Sequence, residues 1–114
     1  MTHDSEGSGL RVYNTTPANG VEIKSELGVA AGFLYVFRGH GPFTHNLGFT
    51  GITPNSALAV TVTEIDRPDA TGKPFIGNAA ISIANVAPGT NAVNVHGLVD
   101  FGTDLNYRIT VASV

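Results

Sequence analysis

A chain of 114 residues with 42% hydrophobic and 13% charged residues holds apolar material for one core, and two separate cores would each be too small. Its net charge of −3 and six scattered basic residues (Arg11, Lys24, Arg38, Arg67, Lys73 and Arg108) exclude a phosphate-gripping surface, so no nucleic acid is expected as a partner. The absence of cysteine excludes disulfides, thiolate catalysis and Cys-based zinc sites, and no run approaches the roughly 18 apolar residues of a membrane helix, so no membrane insertion is expected.

Residues 1–9 carry glycine, serine and acids with nothing to bury. They read as a flexible N-terminal arm and lack the apolar stretch of a signal peptide. From Leu10 the pattern has a period near two: Leu10 and Val12 alternate with Arg11 and Tyr13. Pro17-Ala18-Asn19-Gly20 is turn chemistry, and Val21, Ile23 and Ser25 then alternate with Glu22, Lys24 and Glu26. Val29 to Arg38 is the most apolar run. Its aromatic and β-branched content predicts a central strand buried on both faces, with Gly32 at a bulge or a close approach.

Gly39-His40-Gly41-Pro42 breaks the chain, after which Phe43, His45, Leu47 and Phe49 alternate with Thr44, Asn46, Gly48 and Thr50. Ile52 to Ser56 is a turn. Leu58, Val60, Val62 and Glu64 then share one face of a strand, and Ala57, Ala59, Thr61, Thr63 and Ile65 the other. Asp66 to Pro74 is the longest polar loop. Further strands fall within Phe75 to Val86, Ala92 to Val99 and Leu105 to Val114, separated by Ala87-Pro88-Gly89-Thr90 and by Asp100 to Asp104. The pattern predicts an all-β chain: residues 10–114 form a single β-sandwich domain, immunoglobulin-like or jelly-roll, of about seven to eight antiparallel strands.

Ala87-Pro88-Gly89-Thr90 and Gly102-Thr103-Asp104-Leu105-Asn106-Tyr107-Arg108-Ile109-Thr110-Val111 resemble the Pro-Gly-Thr turns and the last-strand entry of fibronectin type III and immunoglobulin-like sandwiches. The likeness covers these short segments only. Leu105 stands where the family has its tyrosine, with Tyr107 two residues on, and there is no tryptophan and no cysteine pair. The resemblance implies an adhesion or interaction scaffold whose loops contact ligand.

Arg38, His40, His45 and Asn46 lie close in sequence beside glycines that would let a ligand approach, and they are the first candidate ligand-binding set. A neutral imidazole can ligate a metal or act as a base near neutral pH, which makes His40 and His45 the candidate zinc ligands, with His96 or an acid as a third. The spacing matches no defined metal motif; the alternative is an exposed loop His40 and a His45 packed beside Phe43 and Leu47. Asp66, Asp69 and Thr71 offer the hard oxygens that calcium prefers, but the same residues make an ordinary turn, as do Asp100 and Asp104. Tyr13, Tyr35 and Tyr107 would stack on sugar rings or pack between sheets. No Gly-x-Ser-x-Gly elbow, phosphate loop or carboxylate pairing points to catalysis.

The expectation is therefore a non-enzymatic binding or adhesion module for a protein or carbohydrate ligand, with no required cofactor, working at the cell surface or outside the cell. A structural subunit of a fibre, capsid or multimeric surface complex is the alternative, since low charge and Ala-rich faces also suit a homo-oligomer. A small His- or metal-dependent jelly-roll enzyme is the third reading.

Overall fold

The computed structural model describes residues 3–5, 10–16, 20–27 and 30–114, with side chains from Gly32 onward. Ten strands and no helix form among these residues: β1 (His3–Ser5), β2 (Leu10–Thr16), β3 (Gly20–Leu27), β4 (Ala30–Gly39), β5 (Gly41–Gly48), β6 (Leu58–Ile65), β7 (Pro74–Phe75), β8 (Ala80–Pro88), β9 (Ala92–Asp100) and β10 (Leu105–Ser113). The excess over the expected seven to eight includes the three-residue β1 and the two-residue β7, which are too short for a period-two pattern to register. Of the segment expected to be an arm, His3–Ser5 pairs with Leu10–Val12, and the rest lies outside the described residues, as do 17–19 of the first expected turn.

All pairings are antiparallel, in two sheets. One runs β1-β2-β3-β4-β10-β6-β7 and the other β5-β9-β8. Their inner faces share one core. The larger sheet contributes Phe33, Tyr35 and Phe37 from β4 and Tyr107, Ile109 and Val111 from β10; the smaller contributes Leu47 from β5 and Val93, Val95 and Val99 from β9. Registers place like with like: Tyr107 stands opposite Phe37, Ile109 opposite Tyr35 and Val111 opposite Phe33. Side chains alternate across a strand, so this register fixes which residues meet in the core.

The run through β4 is central, between β3 and β10, and buried on both faces around Phe33 to Phe37. Its second face, with Leu34 and Val36, is covered by Ile65 and Ala70, where the 66–73 loop folds back over the sheet. No bulge occurs at Gly32, which pairs in unbroken register with Ser25 and Ala112. On β9, Gly97 is a position where the missing side chain matters. An added Cβ there would collide with the Ser82 carbonyl oxygen and with the Phe43 ring, which lies across this point of the backbone. In β8 the register shifts between Ile83 and Asn85. The extra residue reverses the phase, so Ile81 and Ile83 face inward before it and Val86 after it.

Candidate functional site

Period two decides where each histidine goes. His45 is an odd-numbered β5 residue, on the face shared with Phe43 and Leu47, so it enters the core and is only 3% exposed. Its ring stacks on Phe37 at 3.7 Å and, less closely, on Phe43 at 5.1 Å. Nε2 shares a 2.8 Å hydrogen bond with the Tyr107 hydroxyl, and buried Nδ1 has no protein partner. Burial away from water pushes the imidazole pKa from its ordinary 6.5 down to about 4. The same burial raises the Tyr107 phenol above its ordinary value. At neutral pH both groups are uncharged, and the ring behaves as a core aromatic.

His40 sits at the break between β4 and β5 and is exposed. Its Nδ1 meets Asp104 Oδ1 at 2.6 Å, joining the β4–β5 turn to the β9–β10 loop. Two residue pairs further in, Arg38 Nη1 donates to Asn106 Oδ1 at 3.0 Å between β4 and β10. His96 projects from the outer face of β9, where its Nδ1 lies 3.0 Å from both Thr44 Oγ1 and the Phe43 carbonyl oxygen. Either contact, but not both, takes the ring proton in a neutral imidazole, and the Thr44 hydroxyl can serve either role.

The structure thus disperses the expected zinc ligands: His40 is in a turn, His45 in the core and His96 on the outer face. Among the described residues, no group of three or more His, Asp or Glu side chains is placed to hold a metal ion. In the 66–73 loop, the acids bond their own backbone. Asp66 Oδ1 accepts from the Lys73 N–H at 2.8 Å. Asp69 Oδ1 accepts from the Thr71 hydroxyl at 2.6 Å and the Thr71 N–H at 2.8 Å. The Thr71 hydroxyl and then its N–H hold the Asp69 carboxyl below its ordinary pKa. These are turn-forming bonds. Tyr35 and Tyr107 are buried and offer no ring face to a ligand; the Tyr13 side chain lies outside the described residues.

The structure does gather a different set. On the outer face of the smaller sheet Thr44 stands opposite His96, Asn46 opposite Asn94 and Pro42 opposite Leu98. Ser82 and Asn85 of β8 extend these rows opposite Leu98 and His96. All eight side chains are exposed. They make an exposed field of amide, hydroxyl and imidazole groups with one apolar strip, Pro42 beside Leu98, and Asp100 follows Leu98 in the same outward row of β9. The strip leads to the His40–Asp104 bridge at the end of the sheet. Of this set the sequence pointed only to Asn46 and His96. The polar half of the alternation in β5 and β9 carried the signal for Thr44 and Asn94, but the cross-strand register that joins them is not local. Comparison with protein-family models, with curated proteins and with solved structures finds no match for this chain.

Proposed function

We propose that the chain is a non-enzymatic binding module, built as an immunoglobulin-like or jelly-roll sandwich, that takes a neutral carbohydrate on the outer face of β5, β9 and β8. The observation that carries this reading is the chemistry of that face. Thr44, Asn46, Asn94, His96, Ser82 and Asn85 are exposed side chains that both donate and accept hydrogen bonds, as sugar hydroxyls do. The Leu98–Pro42 strip offers contact for the C–H face of a ring. None of these six side chains carries a fixed charge, and the acid on the same face, Asp100, stands at its end beyond Leu98 and would disfavour an anionic ligand. Such a ligand belongs to a cell surface or its surroundings, which is the location proposed with it.

The test is a thermal-melt series with neutral mono- and oligosaccharides. A sugar at 100 times its dissociation constant stabilises the folded state by about 2.7 kcal/mol, a shift of roughly 10 °C or more for a domain of this size. The double variant Asn46→Ala/Asn94→Ala should melt as the parent does without sugar and lose the shift. A flat response of the parent across the series refutes the reading.

A further inference from the structure

The sandwich is open along one side, between β6 of the larger sheet and β8 of the smaller. Inward residues of the central strands, such as Tyr35, Val95 and Ile109, are fully buried. Along this side the inward residues, Leu58, Val60 and Val62 on β6 with Ile81 and Ile83 on β8, are only half-buried against the core. β7 holds the outer edge of β6 at Glu64 and Ile65. Among the described residues nothing pairs with Leu58 to Val62 on that side. After Phe75 the chain leaves the edge, and by Ala80 it has joined β8 in the other sheet. A groove of about 140 Å³ opens there, walled by Val62, Phe75, Ala79 and Ile81. Glu64 lines it too, with its carboxylate so close over Gly77 that an added Cβ would collide with Oε1. Among the described residues this carboxylate has neither a cation nor a hydrogen-bond donor as partner.

We propose that this side takes an extended peptide segment of a partner protein, paired as an extra strand antiparallel to Leu58–Val62, with a lysine opposite Val62 whose ammonium meets Glu64. Two observations choose the occupant. An unpaired strand edge is completed by the backbone of another extended chain. An unpaired carboxylate in an apolar groove is complemented by a cation on a hydrocarbon stem, which describes lysine: the methylenes suit walls of Val62, Phe75 and Ile81 while the ammonium reaches the acid. In antiparallel pairing the residue opposite Val62 shares its face and stands diagonal to Glu64, within reach of a long side chain. Because the added strand starts at Val62, the positions beside Glu64 and Ile65 stay with β7. Its residues opposite Val60 and Leu58 also point inward, and apolar side chains there bury the row that the open side leaves half-covered. The surface is separate from the carbohydrate face, and the inference does not rest on that reading.

The test is calorimetric titration of the full chain with the peptide acetyl-Lys-Thr-Val-Thr-Val-Thr-Ser-amide, which places lysine opposite Val62 and valines opposite Val60 and Leu58. A second peptide carries norleucine for lysine, and two more are N-methylated on one or the other alternate set of residues. The lysine peptide should bind about tenfold more tightly than the norleucine peptide. Glu64→Gln should remove that difference and leave the norleucine peptide's affinity unchanged. One N-methylated set should abolish binding and the other retain it, because only every second N–H of an antiparallel strand faces a given neighbour. No binding at millimolar peptide overturns the proposal. So do equal affinities for the lysine and norleucine peptides, indifference to N-methylation, or n-butylammonium alone binding as tightly as the lysine peptide.

Discussion

Lowering the pH below 6.5 should destabilise this protein through the core residue His45. In the unfolded chain its imidazole takes a proton near pH 6.5, whereas in the core it does so only near pH 4. The folded pKa is depressed, so the unfolded state binds more protons between these values. The stability contributed by the neutral ring is therefore intact above pH 6.5 and is lost as the pH falls toward 4. At 1.36 kcal/mol per pKa unit the full loss is about 3 kcal/mol, and about 2 kcal/mol of it is gone by pH 5. Carboxylates also respond to acid, so the informative quantity is a difference. Urea unfolding of the parent and of His45→Phe would be measured at intervals from pH 8 to pH 4. Phenylalanine keeps the stack against Phe37 and Phe43 but cannot be protonated. At pH 8 it also leaves the Tyr107 hydroxyl without its 2.8 Å partner, a cost of about 1 to 3 kcal/mol. The parent's advantage should shrink by about 2 kcal/mol between pH 7 and pH 5. Two stability curves that run parallel through this range would refute the reasoning.

Two other substitutions probe the packing. Gly97→Ala should destabilise by about 1 to 3 kcal/mol, because the new methyl meets the Phe43 ring and the Ser82 carbonyl; a chemical-denaturation midpoint equal to the parent's would show that β8 and β5 can yield there. Tyr35→Phe removes the hydroxyl that donates to the Gly48 carbonyl at 2.5 Å and should cost about 1 to 3 kcal/mol with the fold retained, measured the same way.

The in-and-out assignment of single strands was legible in the sequence, because it needs only local alternation. In β5, Phe43, His45 and Leu47 point inward as their spacing requires, as does Phe49 just beyond its end, and in β6 Leu58, Val60 and Val62 pack on the core while Ile65 turns to the other side. Partnership between strands was not legible. His45 and Tyr107 are 62 residues apart, and nothing near either one announces the bond between them. The β8 bulge left a faint trace, the three-residue step from Ile83 to Val86 where the pattern otherwise steps by two. Gly32 and Gly97 look alike in sequence, each inside an apolar strand. The need for glycine at Gly97 comes from the placing of Phe43 opposite it, which nothing local to Gly97 announces. The candidate site illustrates the same limit. A cluster in sequence, Arg38 to Asn46, splits between core, turn and outer face, while the polar field is assembled from three strands.

The position of β10 has a bearing on how the protein is made. It lies between β4 and β6 in the larger sheet, yet follows both in the chain. During synthesis β4 and β6 emerge first and have no common neighbour. The larger sheet must stay in two pieces, with the apolar flanks of both uncovered, until β10 has cleared the ribosome. Closing it means inserting one strand between two others across long stretches of chain, the kind of non-local step that makes β proteins slow to fold. Anything that delays translation after β9 would prolong the interval in which those flanks are open to wrong partners.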